Sequence, residues 1–404
     1  MTEQAVRDYL LLGLRIGEHV PGFVDSWFGD PALGETAATR PRTPPELVRD
    51  ATELRERLAD SGLSPSRRRY LGAQVVALEC TARRLVGEPM PFTTEARAYF
   101  DVDVSTGDAD EYQSVHDEIH ELLPGTGDLR ARLAEFTARN TIPEHQLHRA
   151  VRAVSDALRE RVSELVHLPD GEGVTYELVR DKPWHAFNLY HGGFRSTITL
   201  NVDAGKNLAA LPLLATHEAY PGHHAEHCVK EAELVTRRGE VEHVISLVNT
   251  PQCLVSEGMA EVAHRALLGD GWGRWTSTVL AEYGIHIEGE MIERLHRLWA
   301  RLLPARQDAA LLLHDHGWDA DATAAYLGRW LLLPDDRAHH MVRFLTDPLW
   351  RAYTVSYIEG TRLVSRWLEI DTADHATVRD RYRRLLREPF VPSSLREQLA
   401  GSAT

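Results

Sequence analysis

Cysteine is scarce in this chain of 404 residues: Cys80, Cys228 and Cys253 are the only three. An odd number at wide spacing supplies no disulfide framework, so the fold must rest on packing. Long apolar runs are missing as well. No stretch reaches 18 apolar residues, which excludes a membrane-spanning helix. The opening MTEQAVRDYLLLGLRIGEHV lacks a basic leader region, and acidic residues interrupt its apolar positions. It reads as an amphipathic helix, not a signal peptide, and points to a cytoplasmic protein. Positive charge is in deficit too. A net charge of −15 argues against a nucleic-acid partner and against an anionic membrane surface. No internal repeat, low-complexity tract or strong linker divides the chain, and nothing in it fixes an oligomeric state.

What remains is ordinary for a folded protein: 43% hydrophobic and 26% charged residues, in a chain long enough for a substantial core. The periodicities predict a mainly α fold. An N-terminal helical region spans 1–168, and the region 169–404 carries the candidate site, packed with the first as one compact unit. The first helix covers roughly 3–20 and ends at Pro21-Gly22. Residues 29–45, rich in Pro, Gly and Thr, read as a loop. Thr43 and Glu46 form a capping box for the next helix. Residues 46–88 make two helices broken at Ser61-Gly62. The acidic segment 101–111 lacks the Gly and the terminal Glu of a calcium loop and reads as an ordinary turn. Three helices follow over 112–167, with Thr141 and Glu144 as a second capping box.

The period then changes. Val174, Tyr176 and Leu178 alternate with polar residues, as do Ile198, Leu200 and Val202, so both segments read as half-buried strands. Between them, Trp184–Arg195 is either a pocket-lining loop or a plain hairpin connection. Helices resume after the Asp203–Lys206 turn, with Pro212 in a first turn. A long helix is expected over Trp275–Leu302 and a helical bundle over 319–400, where Ser394 and Glu397 suggest a last capping box.

The chemistry concentrates in Thr216–His227, THEAYPGHHAEH, which holds four histidines and two glutamates in twelve positions. A zinc peptidase helix usually carries H-E-x-x-H, with two imidazoles on one face and a glutamate that activates water. His217 and Glu218 supply the first half. Pro221 stands where the second histidine belongs. On an ideal helix His224 falls about 20° from the face of His217 but two turns away, and His223 about 120° off. Pro221-Gly222 offers a distortion that would absorb two residues and bring His223 into place. His223 is therefore the expected ligand, with His224 as its competitor. A third ligand commonly comes from a following helix. Leu254–Leu267 offers Glu257 for the metal and Glu261, four residues on, to orient a ligand histidine. Cys228 near the cluster reads as a buried structural thiol.

HEAYPGHH followed by an E-G-x-A segment resembles the bacterial family called domain of unknown function 885 (DUF 885), which carries H-E-x-x-P-G-H-H and then E-G-W-A. The opening DYLLLGLRIGEHVPGFVDSWFG is similar to the start of actinobacterial members. The family is related to helical zinc peptidases of the thimet oligopeptidase and Taq carboxypeptidase type. The resemblance implies a helical zinc-peptidase-like architecture with a small hairpin or sheet beside the metal helix. It carries onto His217, Glu218, His223, His224 and Glu257. Met259 replaces the family's Trp, and Glu226 stands where a Gln is common. SYIEG resembles the family's S-Y-x-x-G, which makes Tyr357 the candidate to stabilise an oxyanion. Asp315-His316-Gly317-Trp318 matches a further family pattern loosely and adds His316 as a candidate catalytic group.

These residues predict a zinc-dependent hydrolase of a peptide or small amide, with Glu218 as general base. Two other readings use the same ligands. Two histidines and a carboxylate also describe non-haem iron enzymes, so iron or another divalent transition metal is the alternative cofactor. A non-catalytic, metal-stabilised binding protein would close the site with a fourth protein ligand. Arg351 or Arg362 could grip a substrate carboxylate, but nothing in the sequence singles them out.

Overall fold

The computed structural model describes residues 2–180, 186–202 and 211–402. The architecture is mainly α, with two small sheets. The strands are β1 (Val24–Trp27), β2 (Gly173–Val179), β3 (Ala186–Gly192), β4 (Arg195–Asn201) and β5 (Ile245–Leu247). β1 and β5 pair antiparallel, with Val24 opposite Leu247 and Trp27 opposite Ile245. The other sheet runs β2-β4-β3, parallel between β2 and β4 and antiparallel between β3 and β4.

Helix boundaries follow local chemistry. The Thr43–Glu46 box is formed: the Glu46 carboxylate accepts from the Thr43 N–H at 2.9 Å and from its hydroxyl at 2.8 Å. Residues 29–45 are not the loop that their composition suggests. Asp30 accepts from Ala32 N at 2.9 Å and Pro31 occupies the first turn, so a helix runs over Pro31–Thr39. The Thr141–Glu144 box is not formed, because Pro143 takes the capping position and Glu144 turns to Arg180. The helix expected over Trp275–Leu302 is two, Trp272–Ala281 and Gly289–Leu302. Gly284, at φ 72°, turns the chain between them. Glu397 does not close a box with Ser394; it pairs with Arg69 at 2.8 Å. The strand β5 and the π-type turns over Glu231–Arg237 carry no sequence signature of their own.

Three apolar cores lie between the layers. One gathers the helices Thr2–His19, Pro44–Arg57 and Pro65–Val86 against β5, through Tyr9, Leu47, Leu71 and Ile245. A second draws Phe92, Phe100 and Tyr112 together with Leu254, Leu302 and Val355. The third packs Val151, Leu158 and Ile198 against Ala219, Met259 and Tyr382. Each core takes residues from both 1–168 and 169–404.

One contact fixes the site's geometry. The helices Pro251–Leu268 and Thr354–Leu368 cross at Gly258 and Gly360, where a Cβ on Gly258 would lie 2.3 Å from the Gly360 carbonyl. Only glycine allows backbones that close.

Candidate functional site

The histidine segment is a helix that breaks and restarts. Leu211–Glu218 ends, and His223–Lys230 begins after Gly222. Across the break, Gly222 N–H donates to Thr216 O at 2.9 Å and Ala225 N–H to Ala219 O at 3.2 Å. These bonds span six residues instead of the helical four, so the backbone absorbs two extra residues. The Tyr220–Pro221 peptide is cis. Gly222 has no room for a side chain: a Cβ would sit 1.9 Å from His217 O.

The break turns His217 and His223 toward each other, with their Nε2 atoms 3.1 Å apart. Glu257, on the helix Pro251–Leu268, closes the triangle. Its Oε2 lies 3.3 Å from His217 Nε2, and its Oε1 lies 3.5 Å from His223 Nε2. The three donor atoms fall within 4.8 Å of one another. Glu257 Oε2 is buried with no hydrogen-bond partner among the described residues. A carboxylate with one orphaned oxygen, set against two imidazole nitrogens, is an electron-rich group of donors that could hold a cation. Two histidines and one carboxylate suit zinc or a similar divalent transition ion.

The electrostatics agree. Burial opposes charge on His223, yet Glu257 and Glu226 outweigh it and hold the imidazole well above the ordinary histidine value. Burial likewise opposes the charge of Glu257, and His223 and His217 overcome it and keep the carboxyl low. The cluster thus attracts positive charge to its centre, which protons or a cation can supply.

The two imidazoles of the cluster are each held from behind. Glu261 Oε1 lies 3.5 Å from His217 Nδ1. Ser256 Oγ lies 3.2 Å from His223 Nδ1 and donates to Glu226 Oε2 at 2.5 Å, while Lys230 holds the other Glu226 oxygen. The Glu226 that stands in place of a Gln therefore supplies a carboxylate to this chain of bonds. Glu218 lines the same cavity beside His217, 7% exposed, and burial pushes its carboxyl up. Its backbone carbonyl accepts from Asn188 Nδ2, on β3, at 2.6 Å.

His224 does not compete for the metal position. It is fully buried on the opposite side, with Nε2 2.9 Å from Glu172 Oε2 and Nδ1 2.8 Å from Ser196 Oγ of β4. Tyr220 donates to the same Glu172 oxygen at 2.7 Å. This network ties the broken helix to the sheet. Cys228 is buried beside His224, away from the cavity.

Tyr357 reaches the cavity wall, with the Arg306 guanidinium 5.5 Å from its ring centre. Its neighbour Tyr353, the residue that caps the start of the same helix, makes the closer contact: its hydroxyl donates to Glu257 Oε1 at 2.6 Å. The i, i+4 spacing of the two tyrosines was the available signal. Asp25 of β1 also lines the cavity, at a distance in sequence that no local pattern bridges. His316 does not join them. It is exposed after the helix Pro304–His314 and absent from the cavity wall. Its neighbour Asp315 instead accepts from the Phe92 and Thr93 N–H groups at 2.6 and 3.2 Å, so the segment serves to dock another helix. Of the aromatic connection expected between the strands, residues 186–192 form β3, and Ala186, Phe187 and Asn188 line the cavity. Trp184, His185 and the Asp203–Lys206 turn lie outside the described residues.

No family model matches this chain, and neither does any curated protein. Solved structures do match in fold. A protein from Colwellia psychrerythraea, described as a candidate lipoprotein, aligns with a TM-score of 0.53 at 17% identity, covering 88% of this chain and 66% of its own. A candidate lipoprotein of unknown function from Shewanella oneidensis aligns with a TM-score of 0.51 at 15% identity, covering 92% of this chain and 76% of its own. The chain thus spans just under two thirds of the first neighbour's length. The cytoplasmic placement expected from the N-terminus does not stand, because these neighbours are described as lipoproteins, a class held at membrane surfaces outside the cytoplasm. At this identity, what the chain shares with the two proteins is their fold.

Proposed function

We propose that the chain is a zinc-dependent hydrolase of an amide or peptide bond, related to the DUF 885 family and through it to helical metallopeptidases. One observation carries the reading: His217, His223 and Glu257 converge around an unpartnered carboxylate oxygen, with the buried Glu218 beside them. His217, His223 and Glu257 would hold the ion, which supplies Lewis-acid activation of water and of a carbonyl. Glu218 takes a proton from the attacking water on its carboxylate and returns it to the leaving amine. A carboxyl whose pKa is raised by burial is suited to that exchange. The Tyr357 hydroxyl donates to the oxygen that gains charge. Glu261 and the Ser256–Glu226 pair keep the two imidazoles oriented. The lipoprotein neighbours support a setting at a membrane surface or outside the cytoplasm for this chemistry.

The test pairs metal analysis with turnover. Protein purified without added metal should carry about one zinc and cleave short peptides or simple amides. Glu218→Gln should retain zinc and lose roughly 10²-fold or more in rate, the scale of a general base. Near-normal hydrolysis in that variant defeats the base assignment, and iron in place of zinc favours the oxygenase-type alternative.

A further inference from the structure

The charged groups around the cavity are unevenly satisfied. Five carboxylates line it: Asp25, Glu218, Glu226, Glu231 and Glu257. Three of these are engaged. Glu226 is held by Lys230 and Ser256. Glu231 accepts from the Tyr190 hydroxyl at 2.5 Å and from Gly193 N at 3.1 Å. Glu257 faces the two imidazoles and Tyr353. Glu218 has the role of base. Asp25 is left over, half-buried on β1 with no hydrogen bond or ion pair among the described residues.

The one positive group that acts on it is the His223 imidazole of the cluster, and no lysine or arginine bonds to it among the described residues. Among the described residues no arginine lines the cavity, and its one lysine, Lys230, is bound to Glu226. Arg351 and Arg362 are spent on Glu95 and Glu359, at 3.2 and 2.9 Å. His227 and His243 also line the cavity, and burial pushes both down to about 3, so they are neutral near pH 7. A second acceptor points to the same chemistry. Asn188, 6% exposed, spends its Nδ2 on Glu218 O, which leaves Oδ1 buried and unpartnered in the cavity wall. β1 and β3, which carry Asp25 and Asn188, pack against each other. Burial pushes the Asp25 carboxyl up to about 7, and a bound ammonium would draw it back to the charged form; with the unpaired amide oxygen it makes a pair of acceptors suited to a donor of positive charge. A carboxylate-bearing group would meet repulsion and find no guanidinium on the lining itself, Arg306 standing outside it at 5.5 Å from the Tyr357 ring centre.

Resting on the hydrolase reading above, we propose that the substrate carries a free ammonium group, that Asp25 is the residue that binds it with Asn188 Oδ1 as second acceptor, and that the site works on the amino-terminal side of its substrates. The wall built from Phe344, Trp350, Tyr353 and Tyr357 then receives an apolar or aromatic side chain.

Calorimetric binding of L-phenylalaninamide and of its N-acetyl derivative to the zinc-loaded full chain tests this. The free amine should bind about tenfold tighter or more, the scale of one charge-assisted hydrogen bond. Asp25→Asn should erase that preference while leaving zinc content and binding of the acetylated compound in place. Equal binding of the two compounds, binding of neither, or a preference that survives in Asp25→Asn overturns the proposal. The comparison on the unaltered protein stands even where the variant folds poorly. Turnover is read separately with the p-nitroanilide of phenylalanine. Amine-dependent binding without turnover would defeat the hydrolase reading and leave the ammonium site standing.

Discussion

The Tyr353 hydroxyl donates to Glu257 Oε1 at 2.6 Å, and so it holds the carboxylate whose other oxygen faces His217. A group behind a ligand carboxylate sets its orientation and tempers its charge. Tyr353→Phe should weaken metal binding by about 10- to 100-fold, the usual scale for such a partner, without unfolding the chain. Competition with a chromogenic chelator measures it. Unchanged affinity would make Tyr353 a packing residue only.

Glu257→Ala removes the third donor. It should abolish tight zinc binding, while His224→Ala should leave zinc in place and cost stability, because His224 bonds Glu172 and Ser196 instead. Zinc added at about 100 times its dissociation constant should stabilise the unaltered protein by about 2.7 kcal/mol, and a chelator should reverse this. Thermal melts of the three proteins with and without zinc separate the role of Glu257 from that of His224. Loss of zinc from His224→Ala would restore it as a ligand.

Glu172 predicts an acid limit. Burial alone would raise its pKa, but bonds from His224, Tyr220 and Arg159 outweigh it and draw the carboxyl down to about 2 from an ordinary 4.5. The folded-state value is depressed, so this stabilisation is complete above the ordinary value and disappears as pH falls through about 2. The shift corresponds to about 3 kcal/mol. Glu172→Gln should lower stability at pH 7 by an amount of that order and flatten the acid side of the stability profile. Denaturant titrations between pH 2 and 7 read it, and parallel profiles for the two proteins would count against the network.

Gly258→Ala should be severe. The new methyl would lie 2.3 Å from the Gly360 backbone, which no rotamer can relieve. The helices must separate, at about 1–3 kcal/mol or more. Because Glu257 and the two tyrosines sit on the separating helices, metal affinity should fall together with the melting temperature. A variant that melts as before would mean that the helices can part without cost.

The site was legible to the extent that its residues lie close in sequence. His217, Glu218 and His223 came from one segment, and the two-residue distortion that brings the imidazoles together follows from Pro221-Gly222. Glu257 and Glu261 followed from helical spacing. What lay beyond reach depended on tertiary contact. His224 and His223 are adjacent in sequence and differ only in what the fold puts opposite them. Asp25 enters from a strand that pairs with β5, more than 200 residues away. His316 failed because a loose motif match carries no information about which surface a loop covers. In the fold, Pro31–Thr39 was misjudged from composition although Asp30-Pro31 is itself a helix-start signal.

The break in the histidine helix has one more effect. Stopping the helix at Glu218 leaves that residue's carbonyl outside the regular ladder, and Asn188 of β3 occupies it at 2.6 Å. Glu218 and the strand that walls the cavity therefore share an anchor. The backbone from which the Glu218 side chain reaches into the cavity is thereby tied to the sheet, and a change in β3 would move both together.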